Sequence, residues 1–466
     1  MSQQPPVLSN RPPLTTLQQT DAKHHLHPFS DSHALAQEGA RVIERGEGVY
    51  IYDADGKRLL DGMSGLWNVA AGYGRTEIVE AITQQLTALP FYNTFFKTTH
   101  RPAIELSELL AQVSPPQFNR AFFTSSGSEA NDTIIRMVRV YWATKGEPEK
   151  QVIISRKNGY HGSTIGGASL GGMAYMHAQG GLPIPGIHHI PQPYWYGEGG
   201  DMDPAAFGLA RARELETAIE TIGAHKVAAF IGEPVQGAGG VIIPPETYWP
   251  EIQRISDRYG ILLISDEVIC GFGRTGNWFG CETFGFRPDL IAFAKAVSSG
   301  YQPIGGVLVS DKVAEVLDSI GDDFNHGFTN SAHPAGCAAA IANICILQRE
   351  GLIERIRDDI GPYFQRRWQE LADHPLVGEA RMTGLIGALE LTTDKAARAP
   401  FAKVGSAGTV CRDISFANGL IMRATRDTML IAPPFIITRQ QVDDLVETAR
   451  TVLNLTAIEL KSRGML

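Results

Sequence analysis

A lysine stands directly after a strongly apolar stretch of the chain. Lys295 follows residues 290–294, LIAFA, which have the length and composition of a buried strand. Burial disfavours the charged form of a lysine, so a buried Lys295 would carry a neutral, nucleophilic amine. An amine that reaches solvent at the edge of a sheet explains Lys295 equally well when the residue is taken alone.

A turn of small residues follows another predicted strand. The strand RAFFTS runs into Ser126, Gly127 and Ser128, and a helical pattern begins at Ala130. Free backbone N–H groups and the positive end of a helix dipole suit a phosphate group. Taken alone, this turn is more typical of an ordinary serine N-cap.

Two adjacent carboxylates and an aromatic ring follow two further strands. Asp266 and Glu267 come after GILLIS, and Tyr160 comes shortly after QVIIS. Buried carboxylates need partners, so a solvated loop pair and a tyrosine packed in the core are the simpler interpretations of each residue alone. In an open α/β sheet, however, ligands lie beyond the carboxyl ends of the strands, where we expect these side chains to meet.

This combination matches the needs of one cofactor. Pyridoxal 5′-phosphate (PLP) chemistry requires a lysine for the imine and a carboxylate that keeps the ring nitrogen protonated. It also requires an aromatic side chain against the ring and a cradle for the phosphate. Lys295, Asp266, Tyr160 and the turn at Ser126 supply these four groups. The sequence therefore predicts a PLP site.

The pattern around these residues predicts a large α/β domain and a smaller α+β domain built from both chain ends. Short apolar runs that alternate with helical segments indicate a mostly parallel sheet buried on both faces. These runs are RAFFTS, QVIIS, KVAAFIG, GILLIS, LIAFA and GGVLVS. Near the N-terminus, Asp55 and Gly56 predict a hairpin turn. The later chain predicts helix over residues 347–371, strands at LIGALEL and MLIAPPF, and a final amphipathic helix.

These patterns divide the chain into four predicted parts. Residues 1–25 form a flexible segment, 26–76 the N-terminal part of the small domain, 77–345 the large cofactor-binding domain and 346–466 the C-terminal small domain.

Composition excludes several classes of partner. The 466 residues carry a formal net charge of -9 with no basic block, which argues against nucleic-acid binding. No apolar run is long enough to cross a bilayer, and no secretory signal is recognisable. Five dispersed cysteines without a CxxC pair are typical of reduced thiols, so a cytoplasmic location is expected.

The order of several motifs resembles that of the class III (ω) aminotransferases of PLP fold type I. The resemblance extends from about His24 to the last helix and rests on SGSEAN, YHG, GEPVQGAGG, DEV, GFGRTG and AK in sequence order. The segments LWNVAAGYGR, PFYNTFF, PYWYGEGGD, FGRTGNWFG and GLIMRATRD further resemble enzymes that act on amines and diamines with pyruvate, including putrescine–pyruvate enzymes.

The resemblance implies a reaction. An amino group would pass from a primary amine, diamine, ω-amino acid or arylalkyl amine to pyruvate in a ping-pong mechanism through an internal aldimine and pyridoxamine phosphate. The active unit would be a homodimer or a tetramer. A decarboxylase or aminomutase on the same fold remains an alternative, because a cofactor site does not by itself choose the reaction.

The resemblance also implies roles for cofactor-binding residues. Lys295 would form the Schiff base and carry the proton, and Asp266 would pair with the ring nitrogen. The other implied cofactor contacts are Tyr160 and Val268 on the two ring faces, Glu233 near the ring hydroxyl, and Ser126, Gly127 and Ser128 at the phosphate, joined by Thr329 of the partner subunit.

On the substrate side, the resemblance implies that Trp67 and Phe95 line the pocket. Arg423 would be a mobile arginine that binds a substrate carboxylate, with Arg426 as a rival for this role. The chain departs from its relatives at two positions: Asn330 replaces an aromatic residue and Asn68 replaces a cysteine that many relatives carry.

Three other interpretations are weaker. The pattern GFGRTG from Gly271 matches the glycine spacing of nucleotide-binding loops, but Asp266 and Glu267 separate it from the strand and no helix is predicted after it. A metal site is also considered at the histidines 24, 25, 27, 188 and 189, but no cysteine or carboxylate is recognised at ligand spacing. A non-catalytic relative would not be expected to keep Lys295, Asp266 and Tyr160.

Overall fold

The computed structural model describes residues 14–466, and the first 13 residues of the predicted flexible segment lie outside the described residues. From Thr16 to His24 the chain forms a helix, which the sequence analysis did not predict. Thr15 begins this helix with a capping box, since its hydroxyl accepts from the Gln18 N–H and the Gln18 side chain accepts from the Thr15 N–H. The four-part division of the chain stays a prediction.

A three-stranded antiparallel sheet follows, with β1 at Ile43–Glu47, β2 at Tyr50–Asp53 and β3 at Arg58–Leu60. The turn between β2 and β3 contains Gly56 with φ +77°, which agrees with the predicted hairpin. The edge strand β3 pairs with a segment near residue 420, far along the chain. The Leu60 N–H donates to Gly419 O at 2.8 Å, and the Ile421 N–H donates to Leu60 O at 2.9 Å. The Ala432 N–H likewise donates to Gly62 O at 2.6 Å.

The central sheet has seven strands: β4 (Phe118–Thr124), β5 (Val152–Arg156), β6 (Ile187–Ile190), β7 (Val227–Gly232), β8 (Leu262–Asp266), β9 (Leu290–Phe293) and β10 (Gly305–Ser310). Their order is β4-β10-β9-β8-β7-β5-β6, and β10 runs in the direction opposite to that of the other six strands. All six predicted strands are present. β7, β8, β9 and β10 are buried throughout, which explains their nearly continuous apolar sequences.

A four-stranded antiparallel sheet forms the C-terminal layer, with β11 at Val377–Thr383, β12 at Ile386–Leu391, β13 at Arg423–Thr425 and β14 at Thr428–Ile431. The helix predicted over residues 347–371 is broken. Gly351 adopts φ +57° after the first helix ends, and a π-helical turn at Ile356–Ile360 separates two later helical pieces.

Several α-helices pack against the central and C-terminal sheets. In chain order the α-helices are α1 (Thr16–His24), α2 (Ser32–Glu38), α3 (Ser64–Trp67), α4 (Thr76–Ala88), α5 (Arg101–Val113), α6 (Gly127–Thr144), α7 (Ile165–Leu170), α8 (Ala174–Ala178), α9 (Trp195–Glu198), α10 (Pro204–Ile222), α11 (Tyr248–Tyr259), α12 (Gly280–Phe284), α13 (Asp311–Asp318), α14 (Pro334–Arg349), α15 (Leu352–Arg355), α16 (Gly361–Gln369), α17 (Ser406–Ala417) and α18 (Arg439–Ser462). Helices α5, α6, α7, α11 and α13 pack against strands of the central sheet, and α16 and α17 against the C-terminal sheet.

Within residues 14–466, no single helix is both long and apolar enough to cross a membrane. One pair of segments, Pro334–Arg349 and Leu352–Asp373, passes that test together by length and composition, but it is bent by 55°. All five cysteines are free thiols, and only Cys345 is exposed.

Candidate active site

One cavity of about 280 Å³ lies where the carboxyl ends of the parallel strands meet. The chain leaves β4, β5, β7, β8 and β9 at this edge, and antiparallel β10 begins there. Nine of the residues singled out from the sequence line the cavity: Asn68, Ser126, Gly127, Ser128, Tyr160, Glu233, Asp266, Val268 and Lys295. The sheet topology therefore collects residues that are up to 227 positions apart in the chain, from Asn68 to Lys295.

Asp266 is the last residue of β8 and is 2% exposed. Its Oδ2 accepts a hydrogen bond from Asn131 Nδ2 at 2.8 Å and lies 2.6 Å from His161 Nδ1, while its Oδ1 accepts from the Val268 N–H at 3.1 Å. Burial alone raises the pKa of this carboxyl, but the hydrogen bonds and the charge of His161 outweigh burial and hold the pKa below its ordinary value. Asp266 is therefore an ionised carboxylate inside the protein.

Glu233 follows β7 and joins two neighbouring loops. One carboxyl oxygen accepts from the Tyr160 N–H at 3.0 Å and the other from the Gly237 N–H at 2.9 Å. Burial, with a smaller contribution from the negative charge of Asp266, raises the pKa of Glu233. Glu233 thereby fixes the backbone that carries Tyr160, whose hydroxyl lies 3.1 Å from Ser163 Oγ.

Lys295 stands just after β9 and begins a 3-10 turn, Lys295–Val297. Its φ of +49° lies in the left-handed region, which is rare for residues other than glycine and is found most often at functional sites. Burial lowers the pKa of the Lys295 amine, although Asp266 and Glu233 oppose this effect with their negative charge. In the part of the chain that the structure describes, no side chain forms a hydrogen bond with this amine.

The N-terminus of α6 also lines the cavity. Ser126 is the N-cap and accepts from the Glu129 N–H at 3.2 Å, which leaves the first N–H groups of the helix directed at the cavity. Gly127 has no room for a side chain, because a Cβ there would lie 2.8 Å from Val268 Cγ2. Ser128 Oγ accepts from the Ser163 N–H at 3.1 Å, which ties this turn to the loop after Tyr160.

Arg423 and Trp67 lie together near the cavity but are not among the residues that line it. The Arg423 guanidinium carbon is 4.8 Å from the centre of the Trp67 ring. Burial lowers the pKa of Arg423, while Tyr175 and Tyr160 oppose that effect. Arg426 has a backbone partner instead of an aromatic one, since its guanidinium donates to the Gly239 carbonyl at 3.1 Å.

Three predicted positions lie away from the cavity of a single chain. Thr329 and Asn330 are exposed in the turn that precedes α14, and Phe95 packs against the backbone of Gly327 in the same region. The structure of one chain therefore brings these three near one another, but not near Lys295.

Sequence reasoning missed the polar partners of Asp266. His161 and Asn131 stood inside the motifs YHG and SGSEAN, but neither was given a role. Asn131 Nδ2 also donates to the His161 carbonyl at 2.8 Å, so the two residues form one network with the carboxylate. A buried polar residue inside a motif that flanks a strand end is the signal that would have found them.

Two weaker interpretations can also be compared with the structure. In GFGRTG, Arg274 is buried and donates to the carbonyls of Leu385 and Pro433, and the next helix begins only at Gly280, so this segment joins two layers of the protein. Contrary to the expectation from the sequence, a carboxylate does stand at ligand spacing from the N-terminal histidines. Asp21 lies one helical turn before His25 and within hydrogen-bonding distance of it.

Comparison with known proteins decides the family. The model of the family "Aminotransferase class-III" matches residues 34–453. The chain belongs to the class-III aminotransferases. The predicted fold type I architecture and the PLP cofactor are thereby confirmed.

Individual class-III relatives cover nearly the whole chain. Putrescine–pyruvate aminotransferase of Pseudomonas aeruginosa is 57% identical over 434 residues, which is 93% of this chain and 95% of the relative. Diaminobutyrate–2-oxoglutarate transaminase of Halomonas elongata is 41% identical over 95% of each chain. The crystal structure of the ω-transaminase from Pseudomonas jessenii in complex with PMP has a TM-score of 0.93, with 41% identity over 96% of this chain and 99% of the other.

The residues around the cavity of this class-III aminotransferase fit PLP. A partly buried lysine and a buried carboxylate line the same space, together with a tyrosine, a valine and the N-terminus of α6. The donor set thus contains a group for each part of the cofactor: the aldehyde, the ring nitrogen, the ring faces and the phosphate.

Proposed function

We propose that this aminotransferase moves the amino group of a primary amine or a putrescine-like diamine to pyruvate, with alanine as one product. The observation that carries the proposal is the 57% identity, over nearly the full length, to an enzyme named for putrescine and pyruvate. The cavity with Lys295 and Asp266 supplies the chemistry that this reaction needs.

PLP, when bound, supplies a carbonyl carbon that receives the amino group and a ring that takes up electrons. Lys295 is the residue that would hold the cofactor covalently and move a proton at Nζ. Because burial lowers the pKa of its amine, the neutral form that attacks a carbonyl or accepts a proton is more accessible than for a surface lysine.

Asp266 would pair with the ring nitrogen and keep it protonated. This role requires a carboxylate that stays ionised although it is buried, and His161 and Asn131 provide the hydrogen bonds for it. Glu233 would support the same end of the ring by fixing the loop of Tyr160.

Tyr160 and Val268 would pack on the two faces of the ring, and Ser126, Gly127 and Ser128 would bind the phosphate. We further propose that Thr329 of the partner subunit completes the phosphate site, so that the active unit is a symmetric homodimer. The exposure of this residue in a single chain supports a role at a subunit interface.

Arg423 is proposed to bind the carboxylate of pyruvate. The pocket must accept an acid in one half-reaction and an amine without a carboxylate in the other, and a fixed, unpaired buried cation would disfavour the amine. Arg423 forms no ion pair within residues 14–466 and rests on the Trp67 ring, a contact that a long side chain can leave and remake. Arg426 is already bonded to a backbone carbonyl, which favours Arg423.

The test is a pair of matched variants, Arg423→Ala and Arg426→Ala, assayed for alanine formation from putrescine and pyruvate. We expect Arg423→Ala to raise the KM for pyruvate by about 10- to 150-fold, the equivalent of one charge-assisted hydrogen bond of about 1.5–3 kcal/mol. The amine half-reaction, measured in a single turnover without pyruvate, should change little. Equal damage to both half-reactions would assign Arg423 a structural role, and an effect of Arg426→Ala alone would transfer the role to Arg426.

Lys295→Ala is the control for the reaction class. This variant should lose turnover by several orders of magnitude with every donor, because covalent attachment and proton transfer are lost together. Retention of alanine formation in this variant would refute the proposed chemistry. We also propose a cytoplasmic location, which the five free thiols support.

A further inference from the structure

A cluster of metal-ligand side chains lies outside the active site, at the C-terminal end of α1. Asp21 is on the last turn of α1, His25 is its C-cap, and His27 follows two residues later. One ligand atom from each side chain lies within 4.8 Å of the other two. We propose that Asp21, His25 and His27 form a binding site for a divalent transition-metal ion such as Zn²⁺.

The spacing of the ligand atoms fits a small tetrahedral ion. Asp21 Oδ1 lies 3.2 Å from His25 Nδ1, and Asp21 Oδ2 lies 2.8 Å from His27 Nε2. Ligands that bind Zn²⁺ at about 2.0–2.1 Å in a tetrahedron are about 3.3 Å apart. The two distances involve different oxygen atoms of Asp21, and one ligand atom from each residue lies within 4.8 Å of the others, so side-chain rotations would bring one oxygen and both nitrogens to this spacing, with water in the fourth position.

The local backbone already arranges the three ligands. Residues four apart share one face of a helix, which brings Asp21 beneath His25, and the His25 N–H donates to Asp21 O at 2.9 Å. The chain then turns so that the rings of His25 and His27 have centres only 4.1 Å apart. Two imidazoles and a carboxylate suit Zn²⁺, Ni²⁺ or Cu²⁺ rather than Mg²⁺ or Ca²⁺, which prefer oxygen ligands.

The proposed ligands are accessible from solvent. Both histidines lie near the surface, with His25 60% and His27 22% exposed as side chains, so an ion can enter directly from solvent.

The site has a structural connection to the cofactor cavity. Phe29 follows His27 by two residues, adopts φ +50°, and packs edge-on against Tyr160 with ring centres 6.5 Å apart. An ion held by Asp21, His25 and His27 would fix the segment that presents Phe29, and hydrogen exchange of residues 25–29 should slow when the ion binds.

The experiment uses the PLP-loaded enzyme, purified without a polyhistidine tag and titrated with Zn²⁺ and Co²⁺ in a non-chelating buffer. We expect one ion for each chain and intense visible bands from Co²⁺, which indicate four-coordination. His27→Gln should weaken binding by about ten-fold or more, as expected for loss of a ligand. His24→Gln is the matched control, since His24 is the neighbouring exposed histidine outside the cluster, and it should bind normally.

The outcomes separate the site from other metal binding. Equal binding by wild type, His24→Gln and His27→Gln would place the ion elsewhere, for example on the cofactor, and would overturn the proposal. Absence of binding at millimolar Zn²⁺ would also overturn it, leaving only an ion pair between Asp21 and the two histidines.

Discussion

The network at Asp266 allows a quantitative test of how a buried carboxylate is kept ionised. The change is Asn131→Leu, which keeps the number and branching of the side-chain heavy atoms but removes the Nδ2 donor to Asp266 Oδ2 and to the His161 carbonyl. A hydrogen bond to a charged group contributes about 1.5–3 kcal/mol, so we expect cofactor affinity to fall by about 10- to 150-fold. His161 and the Val268 N–H still hold the carboxylate, which is why the loss should be partial.

The pH dependence of cofactor binding should change in a direction that follows from the pKa of Asp266. The pKa of Asp266 is lowered in the folded protein, so its ionised form contributes stability at neutral pH that is lost as pH falls through that lowered pKa. Asn131→Leu raises the pKa of Asp266, so the acid limb of the profile of cofactor dissociation constant against pH should move to higher pH. The assay is a fluorescence titration of cofactor-free protein with PLP from pH 3 to pH 7, because the lowered pKa of Asp266 lies below its ordinary value of 3.8.

Two controls separate electrostatics from folding. Asn343→Leu removes another fully buried amide, one that donates to the carbonyls of Ala296 and Val297 rather than to Asp266, and it should leave the acid limb in place. In the double variant of Asn131 and His161, the two losses should not add, because both donors share one oxygen atom. A loss of affinity in Asn131→Leu that is the same at every pH would refute the reasoning.

Three further predictions concern other parts of the molecule. Gly162→Ala should weaken PLP binding and lower the Tm far more than Gly146→Ala. Both glycines have positive φ, but only at Gly162 would a Cβ collide with Ser128, at 2.6 Å from its Oγ. Equal effects of the two substitutions would contradict this prediction. Burial raises the pKa of Glu267 from 4.5 to about 7, so the stability that its protonated carboxyl contributes is complete below pH 4.5 and is lost as pH rises through 7. The Tm of the wild type should therefore fall relative to the Tm of Glu267→Gln between pH 4.5 and pH 7. Parallel curves of Tm against pH would disprove the raised pKa of Glu267. Thr329→Ala should lower PLP retention more than turnover at saturating PLP, whereas a fully active monomer in sedimentation experiments would exclude the proposed interface.

Strands β7 to β10 of the central sheet were predictable because each is buried throughout and is therefore nearly continuous in apolar residues. β6 was missed because two histidines, His188 and His189, interrupt its apolar pattern. The antiparallel direction of β10 was not predictable either. A fully apolar strand such as GGVLVS indicates burial, but strand direction depends on the path of the connecting chain.

Helical patterns were less reliable where glycine or helix irregularity intervened. The segment from 347 to 371 keeps apolar side chains at helical spacing, so periodicity alone predicts one helix. The chain bends by 55° at the break that contains Gly351, and the π-turn at Ile356–Ile360 is an irregularity within the helical segment that follows. α1 was missed for the opposite reason, since none of its residues is buried and the capping box at Thr15 is its main sequence signal.

The candidate site was predictable to the extent that it follows strand ends. Asp266 ends a strand of the central sheet, and Glu233 and Lys295 stand just after two others, so their meeting follows from topology. The contacts of Asp266 with Asn131 on α6 and with His161 in the loop after β5 depend on side-chain conformations, which no local pattern encodes. Phe95 and Thr329 lie away from the cavity of a single chain, so their proposed roles rest on a second subunit.

The hydrogen bonds between residues 60–62 and 419–432 have a consequence for synthesis of the protein on the ribosome. Leu60 pairs with Gly419 and Ile421, and Gly62 pairs with Ala432, across more than 350 residues of chain. The turn that carries Trp67 follows directly after this pairing, and Ser64 Oγ in that turn donates to Ala432 O at 2.7 Å. Because its partners leave the ribosome more than 350 residues after this turn, the side of the pocket at Trp67 cannot complete its folding until that later segment has been made.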